Sequence, residues 1–296
     1  MNCRLAVVAA TFVSLAYAQP DPKALVKQSV ENYERDWREA LTWSYTQTDI
    51  TRSDDRDMTE VSEFAPLHGT PFERLISKNG QPLSPDEQRK EDRKYRKAAE
   101  ERLKESPSER EARLAKYEKE RMFVREIPEA YDFTLLGEET VDGRPAWVIS
   151  LQPHPGFIPQ TAHAALLKHI EGKLWIDKEN LQWAKAAANV RDTMSFGVIL
   201  ARIGPGTHFA VEQTRISDSF WMPKKIRISG EAKVLLVHDK SIDENLAYSG
   251  YRRESPAVSD ATKRPSSTLQ PIYPKTQQDA LVRGAAHQPV RSSSLQ

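Results

Sequence analysis

Cysteine is almost missing from this chain of 296 residues: the single one is Cys3. It lies in the first few residues, ahead of a short apolar stretch, so the body of the chain has no thiol. That excludes a disulfide framework, a cysteine metal site and a cysteine nucleophile. An excess of either charge is missing too, with 43 Lys+Arg against 42 Asp+Glu. A dedicated nucleic-acid binder would carry a basic surplus or stripe. No run of roughly 18 or more apolar residues occurs, so no helix is long and apolar enough to cross a bilayer. Hydrophobic residues reach only 39%, which still suffices for a core and argues against wholesale disorder.

The common catalytic signatures are missing as well. There is no Gly-x-Ser-x-Gly elbow, no Gly-x-x-x-x-Gly-Lys-Ser/Thr loop and no Gly-x-Gly-x-x-Gly turn. The seven histidines show no His-Glu-x-x-His spacing, and His163 and His169 stand six apart, on different faces of any helix. They read as ordinary surface or half-buried histidines, with no metal site implied. Asp54, Asp55, Asp57 and Glu60 cluster, but Arg52 and Arg56 interleave and the glycine of a calcium loop is absent. No catalytic residue and no cofactor is assigned.

The N-terminus, by contrast, has a clear plan. One positive charge, Arg4, precedes the apolar stretch Leu5–Leu15, and Ala16-Tyr17-Ala18 offers a small-x-small cleavage site. This is the layout of a secretory signal peptide over 1–18, cut after Ala18, and the expected location is periplasmic. A thiol-free exported chain fits an oxidising compartment.

From Pro22 to Leu41 apolar residues recur at Val26, Val30, Tyr33, Trp37 and Ala40, the spacing of one helical stripe. Asp21 before Pro22 predicts an N-cap followed by proline in the first turn. An aromatic strand is expected over 41–50, weaker strands over 56–65 and 70–78, and a turn at Asn79-Gly80. Residues 84–126 differ, with 26 charged side chains of both signs among 43. Ser84-Pro85 and Ser106-Pro107 each have a Glu three residues after the serine, two capping boxes. They predict a charged helical hairpin, about 85–105 and 107–122, inserted between strands. From Tyr131 to Tyr251 paired strand patterns flank Asp142-Gly143, Lys178-Glu179-Asn180, Gly204-Pro205-Gly206 and Gly230, an antiparallel meander. From Arg252 onward, five prolines, seven serines and one aromatic accompany seven basic and three acidic side chains. Residues 252–296 therefore read as a disordered, mildly basic tail, compatible with peripheral membrane contact.

Six tryptophans stand out, five of them on or beside predicted strands. With Tyr45, Phe133, Phe196 and Phe209 they could line an apolar concavity, since a curled sheet closed by a helix must fill its interior or hold something there.

Gly137-Glu-Glu-Thr-Val-Asp-Gly-Arg144, Gly172-Lys-Leu-Trp-Ile-Asp177 and Phe220-Trp-Met-Pro223 sit within this meander behind an amphipathic first helix. The arrangement resembles the outer-membrane lipoprotein-sorting proteins, the periplasmic lipoprotein carriers and their relatives, over roughly 22–251 without 84–126. The resemblance implies an α+β fold: a strongly curved antiparallel half-barrel closed by the N-terminal helix, with the charged hairpin inserted. It implies a non-enzymatic protein that holds a lipid, or the acyl chains of a lipoprotein, as a carrier or sensor. Expected ligand-facing residues are Trp43, Tyr45, Trp147, Trp175, Trp183 and Phe209. An alternative is an envelope protein-interaction module that uses residues 84–126 and has a plain packed core. A third is an exported hydrolase with a site assembled across strands. No nucleic-acid partner is expected.

Overall fold

The structure is a computed structural model that describes residues 19–53, 56–196, 201–234 and 238–254. The signal peptide expected over 1–18 lies outside the described residues, as does the tail expected over 252–296 from 255 onward, whose first two residues belong to the last strand. Helix α1 spans Pro22–Ala40, as the stripe predicts. The Asp21 carboxylate accepts the Lys23 and Ala24 N–H groups at 3.1 and 3.3 Å, satisfying two first-turn donors that the helix cannot pair internally.

The strands are β1 (Trp43–Ser53), β2 (Arg56–Leu67), β3 (Thr70–Lys78), β4 (Gln81–Pro82), β5 (Tyr131–Val141), β6 (Arg144–Pro153), β7 (Ile170–Asp177), β8 (Trp183–Val190), β9 (Met194–Phe196), β10 (Ala201–Ile203), β11 (His208–Ser217), β12 (Phe220–Val234) and β13 (His238–Arg253). Helices α2 (Pro85–Lys104), α3 (Pro107–Lys119) and the short α4 (Ile127–Ala130) lie between β4 and β5. Both capping boxes form: Ser84 and Ser106 accept the N–H groups of Glu87 and Glu109, whose carboxylates reach back to the serine N–H groups. The second helix stops at Lys119 rather than 122, and a 3₁₀ turn over Met122–Glu126 follows.

Eleven strands form one antiparallel path, β4-β3-β2-β1-β13-β12-β11-β8-β7-β6-β5, with β9 and β10 attached beside β12. β4 and β5 end the path and, among the described residues, do not pair with each other, so the sheet is open. The β1–β13 pairing joins the first strand to the last and divides the hairpins into two wings.

Gly230 departs from expectation. It is not a turn: β12 runs through it to Val234 and β13 returns from His238. Its φ is +153°, and a Cβ there would lie 2.6 Å from the Thr207 Cα. Glycine is needed at this point because the Thr207 backbone crosses against the strand, not because the chain reverses.

The sheet has two unlike faces. Along one register row Leu135, Ile149, Leu174, Ala186, Val211, Ile226 and Leu246 stand side by side from β5 to β13. The row then continues through Asp49 and Glu60 to Lys78 on β3. Helix α1 lies across the apolar wing of this face. Val26 and Val30 pack with Ile149, Leu174 and Ile176 in one core cluster. A second cluster on the same face joins Tyr45 and Phe64 to Ile226, Ile228, Leu246 and Tyr248. Nineteen helical residues measure about 28 Å, the width of some six strands. The helix can therefore bridge from α4 beside β5, where Lys23 meets Glu129 at 2.8 Å, to β12. Tyr33 packs against Trp183 of β8, the rings tilted by 31° with centres 4.8 Å apart.

Candidate functional site

The helix-bearing face is the candidate site, and a polar seam holds its cover in place. Leu25, Ser29, Asn32 and Asp36 recur at steps of four and three, and all are buried. The Trp183 indole N–H donates to Ser29 Oγ at 3.0 Å. Asn32 donates to the Asn180 and Leu181 carbonyls, each at 3.0 Å. Asp36 accepts from Gln182 Nε2 at 2.7 Å and from the Trp221 N–H at 2.8 Å. Burial pushes the Asp36 carboxyl up to about 6, against the opposing pull of the Trp221 N–H and Arg35.

The three motif segments meet beside this seam. Arg144 Nε and Nη2 donate to the two Asp177 oxygens at 2.6 and 2.9 Å, a bidentate pair. Asp177 also accepts the Glu179 and Asn180 N–H groups, which closes the β7–β8 turn. Burial alone would raise Asp177, but the Arg144 pair and these two N–H bonds outweigh it and hold the carboxyl low. The Arg144 guanidinium lies 5.8 Å from the Trp221 ring centre. Gly172 is close-packed on β8: a Cβ there would fall 2.2 Å from the Ala187 oxygen. The motifs thus brace the sheet where α1 docks.

Partly exposed surface on this face forms two adjoining regions. Phe133, Leu151, Gly172, Ala188 and Phe209 are register neighbours from β5 to β11. All are half-buried rather than sealed, as are Leu135, Ala186 and Val211 in the next row. Small residues in the middle, Gly172, Ala186 and Ala188, make the strip shallowest over β7 and β8. Beyond Ile226 and Ile228 the face turns polar, with Gln47, Asp49 and Thr51 on β1, Glu60 on β2 and Glu244 on β13.

The six ligand-facing candidates separate. Tyr45 and Phe209 belong to one cluster on the helix-bearing face, and Tyr45 stacks on Phe64 at 4.7 Å. Trp147 and Trp183 border α1 on the same face, Trp147 beneath the Lys178 ammonium at 3.9 Å. Trp43 packs with Phe220 and Met222 at the end of the helix. Trp175 is not brought to them. Its neighbours Leu174 and Ile176 face α1, so strand alternation turns it to the other side, where it packs with Ala146 and Val148 and donates to Glu139 at 2.8 Å. Sequence reasoning named Gly172 and Glu60 for other reasons and missed Ala186, Ala188, Asp49 and Glu244, because neither type is conspicuous until register places them in rows.

A second concavity lies between α1 and α3. Trp37 stacks on Tyr117 at 5.7 Å, and the Arg121 guanidinium sits 4.4 Å from the Tyr117 ring centre. The adjoining pocket encloses about 230 Å³ including its open mouth, below the 300 Å³ or so of a small-ligand site. Among the described residues no group of three or more His, Cys, Asp or Glu could hold a metal ion, and no helix is long and apolar enough to cross a membrane.

No family model and no curated protein matches the sequence. Solved structures do. A DUF1329 family protein from Desulfovibrio piger shares 15% identity over 85% of this chain and 100% of its own, with a TM-score of 0.31. A putative outer membrane lipoprotein-sorting protein domain from Vibrio parahaemolyticus shares 12% over 78% and 94%, TM-score 0.35. A LolA superfamily protein from Nitrosomonas europaea shares 12% over 82% and 99%, TM-score 0.29. The lipoprotein-sorting resemblance of the sequence thus recurs among solved structures. At these scores the likeness says nothing of ligand or role.

Proposed function

We propose that this is an exported, non-enzymatic binding protein of the cell envelope. It holds a lipid, or the acyl chains of a lipoprotein, on the helix-bearing face of its sheet. The observation that carries this reading is the half-buried apolar strip from Phe133 to Phe209, shallow over Gly172 and Ala188 and bordered by Trp147, Trp183 and Tyr45. Acyl burial contributes about 0.8 kcal/mol per methylene, enough to retain a chain without any catalytic group. Trp43 sits at the helix end of this face, and Trp175 has no part in the site. Native mass spectrometry of the exported protein from its own cell, with organic extraction of the bound material, tests the reading. A co-purifying lipid or acylated species is expected. An apo mass that persists after incubation with membranes would overturn it.

One observation favours a second reading, an arm over 84–126 that recruits an envelope protein. α2 and α3 bury only Glu91 between them, and Leu103 is 71% exposed. Leu103→Glu should then end capture of that partner and leave lipid uptake unchanged.

A further inference from the structure

We infer that the polar wing of the same face takes the cationic headgroup of the amphiphile; this rests on the reading above and adds the ligand's charge and donor chemistry to it. Register places the two regions in direct continuity. Leu246, at the end of the apolar row, stands opposite Asp49, and Asp49 stands opposite Glu60. In the next row Ile228 stands opposite Glu244. Neighbouring strands are about 4.8 Å apart, so a chain lying on the strip brings its headgroup against these carboxylates within one or two strand spacings.

Acids alone would not make this a site. The second observation is Gln47, on the same face between Ser62 and Tyr248. It is only 6% exposed, and its Oε1 is buried with no hydrogen-bond partner. A buried acceptor without a donor is costly, and native proteins seldom leave one unmet. A ligand N–H pointed into this wing would meet it. Lys78, the basic residue that ends the Leu135-to-Glu60 row, is already shared, 3.7 Å from Glu60 and 3.7 Å from Glu87. Carboxylates together with an amide oxygen select a headgroup that is positive and carries N–H donors. A primary ammonium has both properties. A sulfate or phosphate headgroup has neither: it would face like charge and offer no donor.

The test compares three probes with the same twelve-carbon chain, dodecylammonium, dodecyl maltoside and dodecyl sulfate, each titrated below its micellar concentration and followed by intrinsic tryptophan fluorescence. Dodecylammonium should bind about tenfold more tightly than the maltoside, and the sulfate more weakly than either. Butylammonium, which has the headgroup and almost no chain, should not bind. Gln47→Leu and Glu60→Gln should each reduce the ammonium preference several-fold and leave maltoside affinity unchanged. Gln47→Leu should not lower the melting temperature, because it removes an unmet acceptor. Equal affinity for all three probes would overturn the headgroup assignment and leave the acyl-binding reading standing. An ammonium preference that survives in both variants would overturn the assignment in the same way. Failure of the maltoside and the other two to bind a folded protein would overturn the acyl-binding reading, and the headgroup assignment with it.

Discussion

The Asp36 carboxylate on α1 accepts the backbone N–H of Trp221 on β12 at 2.8 Å, a bond between residues 185 positions apart. It joins the first helix to a strand near the end of the chain, and the Gln182 amide on the same carboxylate ties in the start of β8. Asp36 is thus the ionisable member of the seam that holds the cover of the candidate face. Because burial raises this carboxyl from 3.8 to about 6, the folded chain binds its proton more tightly than the unfolded chain does. The stability linked to it is complete below the ordinary carboxylate range and is lost as pH rises through about 6. Thermal melts followed by circular dichroism should show wild type losing this contribution between about pH 4 and pH 6, and Asp36→Asn losing less. Parallel curves for the two proteins would remove Asp36 as the source.

Arg144 and Asp177 make the opposite kind of contribution. Asp177 is buried with its charge fully bonded, so removing the arginine leaves an uncompensated carboxylate. Arg144→Met should cost about 3–5 kcal/mol in chemical denaturation. The double variant Arg144→Met with Asp177→Leu should recover part of that loss, since no lone charge then remains. The depressed Asp177 carboxyl contributes stability that is present at neutral pH and fades as the solution is acidified below its ordinary range.

Two glycines are predicted to resist substitution for the same reason. Gly172→Ala would push a methyl to within 2.2 Å of the Ala187 oxygen, and Gly230→Ala to within 2.6 Å of the Thr207 Cα. The obstacle is backbone in both places and cannot rotate away, so each change should cost about 1–3 kcal/mol or more. Gly204→Ala, where nothing lies within 4 Å, serves as the control and should be close to neutral.

Much of this fold was legible because local rules decide it. Asp21-Pro22 places the start of α1, and the Ser-Pro-x-Glu repeats place the starts of α2 and α3. Asn79-Gly80 and Asp142-Gly143, both with positive φ, mark hairpin turns. What stayed hidden depends on distant partners. Nothing near Trp43 indicates that β1 will pair with β13, and that pairing decides which side chains share a face. Gly230 reads as a turn until Thr207 is seen against it. Trp175 looks like its neighbours in composition, and only alternation from Leu174 and Ile176 turns it away. Ser29, Asn32 and Asp36 form a buried seam that a search for apolar spacing passes over, because their burial is stabilised by hydrogen bonds to residues 146 to 185 positions away.

The terminal serines of the two charged helices separate local from global stability. Ser84→Ala and Ser106→Ala each remove one cap, worth about 1 kcal/mol to its helix. Since α2 and α3 bury only Glu91, little of the core depends on them. Hydrogen exchange should speed up in the first turns after 84 and 106, while the global melting temperature moves little. A large global shift would mean that the helices carry more of the fold than their burial indicates.

The small residues at the centre of the strip give the sharpest test of where a chain lies. Ala188 is half-buried, with Gly172 beside it on β7 and Phe209 on β11. Ala188→Phe would fill the shallowest part of the strip from above without displacing the sheet. If an acyl chain crosses there, the added ring takes the place of some three methylenes. The expected loss is about 2 kcal/mol, or roughly thirtyfold in affinity for dodecyl maltoside. The melting temperature should hold or rise, because the ring covers Phe209 and Leu151, which are otherwise left half-exposed. Trp175→Phe, on the opposite side of the sheet, should leave affinity unchanged. Unaltered binding in Ala188→Phe would show that the chain lies elsewhere. Loss in both variants would indicate that binding tracks the integrity of the sheet rather than this face.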